Sequence, residues 1–399
     1  MRIGMLADVY KPHISGITNY ISLSKKYLEA DGHEVYIFTF GDNDYQDDET
    51  NVIRSQGLPL LDTGYYLSIN YGKQAKKLLR TMDLVHVHHP FVSGNMAIRF
   101  CQPRGIPIIF TNHTRYDLYA QAYLPGVPEV IGEVALQTFL PTFCKNCDLV
   151  IAPSAGMRDV LKHFGVGVPI DVVPNGVDLQ PFNQPIEPIS REELGFTESD
   201  FVLIYVGRLG PEKNLPFLLR AVAGAAQAYG NIRLLLVGGG PEKDNLTDRV
   251  KYMKMTEHVK FVGSVEYSQV PSYLMTADAF VTASITEVHP LSIIEAMAAG
   301  LPVLGIESPG ISDTIKDWVT GFLVENDDLA GFTAKMIRMA VEKEERDQIG
   351  KRAKLESEQY AIERTTRLML ERYYSVVAKA SFRKGRIRAR MTRWLDGFR

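Results

Sequence analysis

Cysteine is scarce in this chain, with 3 in 399 residues. So few cannot build the disulfide framework that small secreted domains use in place of a core, and their spacing fits a reducing compartment. Cys144 and Cys147 do spell C-x-x-C. With no second pair and no histidine at ligand spacing, they read as two small apolar residues on one helix face, not as a redox pair or half a zinc site. Long apolar runs are missing too. Nothing approaches the roughly 20 residues that cross a bilayer, and Asp8 and Lys11 break the apolar start too early for a signal peptide. Neither charge is in excess. The formal net charge is -3, so no global field favours nucleic acid or membrane, and any such attraction must come from a local patch. Nucleic acid is therefore not an expected partner. Asp42-Asn43-Asp44 matches D-x-D, a metal-sugar motif of another architecture, but it lies in an acidic loop, Asp42–Glu49, which reads as solvated charge. These absences leave a soluble chain, expected in the cytoplasm and long enough for two domains.

What is present is a sustained alternation of short Val/Ile/Leu-rich runs with longer amphipathic segments. Buried strands separated by helices describe an α/β protein with parallel sheets. The first series of strands is expected at 3–8, 34–40, 84–88, 107–113, 149–153 and 170–174. The second runs through 201–207, 232–238, 259–263, 279–283 and 302–306, with 322–325 as an edge strand. Residues 179–200, which hold three prolines and no sustained periodicity, read as a linker between domains at 1–178 and 201–360. A helix at 361–380 is expected to return to the first domain, ahead of a basic tail at 381–399. Two open sheets side by side place a cleft at the carboxyl ends of both sets of strands.

Several strings at those strand ends carry chemistry. Thr286-Glu287-Val288-His289-Pro290-Leu291-Ser292-Ile293-Ile294-Glu295 leads from a strand into a helix starting near Pro290. Free N–H groups at such a start suit a diphosphate, with Glu287 facing the same cleft and Glu295 able to reach a ribose alongside. Arg208 and Lys213, five apart on a loop leaving another strand, can converge on one anion. Gly238-Gly239-Gly240 after a strand permits close approach of a ligand to the backbone, and Gly16 before a helix suggests the same. His113 ends the strand of Thr111-Asn112-His113-Thr114-Arg115-Tyr116 and would point into the cleft. His86, His88 and His89 cluster without an acidic companion, which is a poor metal set. No metal site is expected.

These strings resemble the retaining nucleotide-sugar glycosyltransferases of family 4, which have the two-domain GT-B fold. That fold is two Rossmann-like domains with parallel sheets facing across a cleft. The E-x7-E spacing of Glu287 and Glu295, the Ala-Met-Ala-x-Gly-x-Pro-Val that follows, and the Gly-Arg…Lys-Asn element carry the resemblance. It implies that Glu287 contacts the donor sugar, Glu295 the ribose, and Arg208 and Lys213 the diphosphate. It also implies that His113 lies near the sugar. Ser15 stands where the family usually has a first glycine. His289-Pro290-Leu291 replaces the usual Phe-Gly-Leu, so the diphosphate must use amides such as those of His289 and Leu291. The resemblance implies no cofactor beyond the nucleotide-sugar donor, and no separate base, because the leaving diphosphate would take the acceptor's proton.

The acceptor is less well marked. His88–Phe91 and Asn112–Tyr116 look like the branch that glucosylates diacylglycerol, over about the first 165 residues, and His88 and His89 are expected to line the acceptor side. The tail carries seven basic residues and one acidic, including Arg386 and Arg390, with Trp394 on an apolar side at helical spacing. Such a helix suits an anionic membrane surface, and a second basic stretch, Lys73, Lys76, Lys77 and Arg80, lies in the first domain, where the resemblance places the acceptor. A glycerolipid acceptor with UDP-glucose as donor is thus the expectation, with peripheral attachment to the inner face of the cell membrane. A soluble sugar or sugar-phosphate acceptor is the alternative, as is an epimerase of the same architecture.

Overall fold

The computed structural model describes residues 1–42, 45–59, 66–67, 70–123 and 129–396, with backbone alone at 59, 67, 120, 123, 129–131 and 383–396. The first domain runs β1 (Arg2–Leu6), α1 (Gly16–Ala30), β2 (Glu34–Gly41), β3 (Val52–Gln56), β4 (Leu58–Pro59), β5 (Tyr66–Leu67) and α2 (Lys73–Leu79). It continues with β6 (Leu84–Val87), α3 (Val92–Phe100), β7 (Ile108–Thr111), α4 (Tyr116–Tyr123), α5 (Glu129–Cys144), β8 (Leu149–Ala152), α6 (Ala155–His163) and β9 (Ile170–Val172). The second domain opens with β10 (Phe201–Val206), α7 (Leu215–Ala228), β11 (Ile232–Val237), α8 (Lys243–Tyr252), β12 (Val259–Gly263) and α9 (Val270–Thr276). Then come β13 (Ala279–Thr282), α10 (Leu291–Ala298), β14 (Val303–Ile306), α11 (Pro309–Ser312), β15 (Gly321–Val324), α12 (Leu329–Val341), α13 (Lys343–Ser357) and α14 (Ile362–Asp396).

Each expected strand forms, within two residues at its ends. The sheets are ordered β3-β2-β1-β6-β7-β8-β9 and β12-β11-β10-β13-β14-β15, and every pairing in them is parallel. Strand order reverses between β1 and β6 in one sheet and between β10 and β13 in the other. At such reversals the loops leaving two neighbouring strands diverge and open a crevice. The loops that open these two crevices hold most of the strings singled out from the sequence.

Three features depart from the sequence reading. β3 was not expected, because Val-Ile-Arg-Ser-Gln is half polar; it works as an edge strand on β2, only partly buried. The stretch at 179–200, read as the linker, also packs onto the second domain. Leu194 and Phe196 join the core beneath the second sheet, and Arg191 donates to the Thr276 carbonyl and to Asp278. The terminal helix does not stop near residue 380: α14 runs on to Asp396, through most of the expected tail.

α14 begins in the second domain's territory and ends on the first. Met369, Leu370, Tyr373 and Val376 pack with Ile3, Met5, Tyr20 and Val35 beneath the first sheet. The opposite face of that sheet is covered by α2, α3, α5 and α6, through residues such as Leu79, Met96, Phe143 and Leu161. The two chain crossings between domains bond to each other: Val177 donates to the Tyr360 carbonyl and Ile362 to that of Val177, both at 2.9 Å. A side chain at Gly176 would run into the backbone of Ile362 at 2.8 Å, so the crossing needs glycine for room.

Candidate active site

In the second domain the loop after β10 carries Arg208 and Lys213, and the loop after β13 carries Glu287. Because β10 and β13 are neighbours in the sheet, residues 74 apart in sequence meet. Lys213 Nζ donates to Glu287 Oε1 at 2.6 Å, with side chains 15% and 19% exposed. Burial alone would lower the lysine's pKa, but the Glu287 carboxylate more than reverses this and keeps the ammonium charged. Tyr205 donates to the Arg208 carbonyl at 3.0 Å and steadies the same loop.

Glycines at 207, 238 and 240 have φ of 155°, 142° and 155°, a region that L side chains avoid. At Gly238 a side chain would strike the Gly207 carbonyl oxygen, and at Gly240 the carbonyl oxygen of Leu209. The loop after β11 thus lies directly on the loop after β10, joined by Leu209 N–H to the Gly239 carbonyl at 2.8 Å. The sequence reading took Gly238 as leaving room for a ligand; the structure uses it first to let two loops touch. Gly16 is different. Nothing lies within 4 Å of where its side chain would be, so the fold leaves that space open.

α10 starts at Leu291 with Pro290 as its N-cap, and no side chain caps it. Its first N–H groups therefore lack partners within the helix. His289 does not stand free in the cleft. Its ring is buried against Tyr360, with centroids 5.0 Å apart, and its carbonyl accepts from Asn175 Nδ2 at 3.0 Å. Burial pushes its pKa down to about 4, so the ring is neutral. Glu295 is 5% exposed and accepts from the Tyr267 hydroxyl at 2.5 Å. Burial raises its pKa to about 7, against a smaller lowering by Tyr267.

That shift makes a pH prediction. A carboxylate can accept from both ribose hydroxyls, whereas the protonated acid must donate one of its bonds. Glu295 ionises as pH rises through about 7. Donor affinity should therefore be greatest above pH 8 and fall about tenfold by pH 6. Calorimetric titration with a nucleotide sugar across that range checks it, and Glu295→Gln should flatten the profile. A flat wild-type profile would refute the ribose role.

The first domain supplies the other wall. Ser15 caps α1 in a reciprocal pair with Thr18: Thr18 N–H donates to Ser15 Oγ at 3.3 Å and Ser15 N–H to Thr18 Oγ1 at 2.8 Å. The serine that replaces a glycine there thus has a structural task. The loop ahead of it is held by the acidic segment read from sequence as solvated charge. Lys11 pairs with Glu49 at 2.6 Å, Tyr10 donates to Glu49 at 2.9 Å, and Arg54 bridges Asp47 and the Lys11 carbonyl. For Asp47 and Glu49 that reading is corrected: they anchor a site loop. Asn43 and Asp44 of the D-x-D string lie outside the described residues. Burial, and then the nearby charge of Arg208, push the pKa of His13 down, so the two walls come within electrostatic reach of each other.

Asp8 is structural, accepting from the N–H groups of Val92 and Ser93 at the start of α3. His113 lies just past β7, part-exposed, with Nε2 3.0 Å from His88 Nδ1. His88 and His89 were expected to line an acceptor surface, yet both are buried. Among the described residues no group of histidines, cysteines and carboxylates could hold a metal ion. The cysteines are free thiols; burial pushes Cys101 and Cys144 up to about 12, which leaves them inert. Two neighbours escaped the sequence reading: Tyr267 against Glu295, and Tyr119 of α4 within electrostatic reach of Lys213. Neither belongs to a string that the sequence marks as special, whereas His88, marked there, proves to stand behind His113.

Lys73, Lys76, Lys77 and Arg80 lie on α2 and its C-cap, apart from these loops. The structure adds neighbours from α3 and the turn after it. Lys76 and Arg99 sit over the Phe100 ring at 5.6 and 5.4 Å, and Arg104 donates to the Phe100 carbonyl at 3.0 Å. None of these six cations forms an ion pair with a described residue. Arg386, Arg390 and Trp394 fall on the last turns of α14, where their side chains lie outside the described residues. No helix among the described residues is long and apolar enough to cross a membrane.

Comparison with known proteins agrees with this layout. Residues 14–181 match the Glycosyltransferase Family 4 model and residues 187–356 the model for Glycosyl transferases group 1. An alpha-monoglucosyldiacylglycerol synthase of Streptococcus pneumoniae is 30% identical over 349 residues, 83% of this chain and 77% of the relative. Its namesake from Acholeplasma laidlawii is 30% identical over 326 residues, 76% of this chain and 80% of the relative. Among solved structures, sucrose-phosphate synthase from Thermosynechococcus elongatus superposes with a TM-score of 0.77 at 21% identity, covering 95% of this chain and 99% of its own. Anabaena HepE in complex with UDP-glucose gives 0.73 at 18% identity, covering 94% and 100%. With a matched model on each domain and relatives at 30% identity along most of its length, the chain belongs to the GT-B glycosyltransferases, family 4 in its first domain and group 1 in its second.

Proposed function

We propose that the protein transfers glucose from UDP-glucose, with retention of anomeric configuration, to diacylglycerol or a related glycerolipid at an anionic membrane surface. The donor diphosphate lies between the first turn of α10 and the Arg208/Lys213 loop, with the ribose at Glu295 and the sugar between Glu287 and His113. The acceptor hydroxyl attacks the anomeric carbon as its bond to the diphosphate breaks. The hydroxyl proton passes to the departing diphosphate, so no protein base is required. Arg208 and Lys213 oppose the charge that builds on the leaving group.

The observation that carries the lipid acceptor is the unpaired basic face on α2 and α3. Lys76, Arg99 and Arg104 meet at Phe100, Lys73, Lys77 and Arg80 share the helix of Lys76 and its C-cap, and none of the six pairs with a described carboxylate; such a face is what an anionic bilayer would meet. Exposed Phe91, which stacks on Phe139 of α5, and exposed Val134 add apolar surface on the same helix layer. The relatives named for monoglucosyldiacylglycerol support the same acceptor class.

The deciding experiment offers UDP- and GDP-sugars with diacylglycerol in phosphatidylglycerol vesicles and identifies the product by NMR. An α-glucosyl lipid made from UDP-glucose is the expected result. Donor turnover without lipid product would move the acceptor to a soluble sugar or sugar-phosphate.

A further inference from the structure

His88 and His113 stand at the ends of adjacent strands, with His88 Nδ1 3.0 Å from His113 Nε2 and the rings stacked at 5.3 Å. Tyr20 closes against both rings, at centroid distances of 5.9 and 5.1 Å. His88 is fully buried, and its other nitrogen, Nε2, has no hydrogen-bond partner among the described residues. The next ring, His86, offers it nothing, because both of its nitrogens are engaged, by Tyr373 at 2.6 Å and Thr111 at 2.7 Å. Burial, reinforced by the neighbouring imidazoles, pushes the pKa of both His88 and His113 well down, so both rings are neutral.

Two neutral imidazoles share one proton across this contact, and there are two ways to place it. If His113 donates from Nε2, His88 accepts at Nδ1 and must carry its own proton on Nε2. That N–H would be buried with nothing to receive it. If His88 donates from Nδ1, the atom left unpaired is a bare ring nitrogen. A stranded donor is the rarer of the two in folded proteins, and a buried group of either kind costs its hydration.

We infer that His88 is a positioning residue that donates its Nδ1 proton to His113 Nε2 and so presents His113 to the cleft as an Nδ1–H donor. His113 then offers a fixed N–H to a hydroxyl or ring oxygen of the bound sugar and takes up no proton itself. This inference rests on the placement of His113 beside the donor sugar.

Nitrogen-15 NMR of histidine-labelled protein tests it, with His113 assigned by loss of its signals in His113→Asn. The expected spectrum has the proton on Nδ1 of His113. His88→Asn keeps a side-chain N–H where Nδ1 stood and should retain that tautomer and most of the transfer activity. His88→Leu should give mixed tautomers and a kcat for glucose transfer reduced by roughly tenfold, with donor Kd within about twofold. A wild-type His113 protonated on Nε2 would overturn the inference, and that spectrum decides even if the leucine variant does not fold. An unchanged tautomer and kcat in a folded His88→Leu protein would overturn it equally. His113→Ala tests the underlying placement separately: unaltered transfer there removes His113 from the reaction centre, whichever nitrogen holds the proton.

Discussion

Lys213→Ala should lower kcat for glucosyl transfer by roughly a hundred- to a thousandfold, the range seen when one preorganised group opposing transition-state charge is removed. The loss has two sources. The leaving diphosphate loses a cation within the crevice, and Glu287, 19% exposed and bonded to Lys213 at 2.6 Å, loses its partner. Glu287→Ala should bring a comparable fall, because the ammonium then has no carboxylate to hold its direction. The double variant should be little worse than the poorer single one, since the pair acts as a unit. Steady-state kinetics with UDP-glucose on the four proteins would show this. Losses that multiplied in the double variant would mean that the residues work independently and that the ion pair is incidental.

The second large effect concerns the surface. Replacing Lys73, Lys77, Arg80 and Arg99 together with glutamine should weaken binding to phosphatidylglycerol vesicles on the order of a hundredfold at low salt. All four are exposed and make no ion pair with a described residue, so the fold should be unaffected. Donor affinity in solution should stay at the wild-type value, and raising salt should narrow the difference between the proteins. Sedimentation with vesicles of graded anionic content checks it. Vesicle affinity unchanged by the four substitutions would remove this face from the membrane contact.

Much of the candidate site was legible because its strings are local. Glu287 and Glu295 share one strand–loop–helix passage, and Arg208 and Lys213 share one loop, so their spacing was visible without a fold. The strands were legible for a related reason. A parallel sheet buried on both faces needs continuous Val/Ile/Leu runs, and such runs stand out between charged helices. β3 did not, because an edge strand needs only half of that pattern. Glu49 misled the reading because an acidic loop is usually solvated, and its partners Tyr10, Lys11 and Ser22 lie 27 to 39 residues away.

By itself, then, the sequence determined the class of the fold and marked the candidate donor-side residues, because both follow from periodicity and short-range strings. Only the tertiary structure decided which residues meet. Lys213 reaches Glu287 because β10 and β13 are neighbours; His113 reaches His88 because β6 and β7 are. Arg99 and Arg104 join the basic face of α2 because both helices cover one side of the same sheet. Gly238 is glycine chiefly because two loops touch there. Strand order is set by how whole layers bury their apolar faces, a sum over distant parts of the chain that no local string encodes.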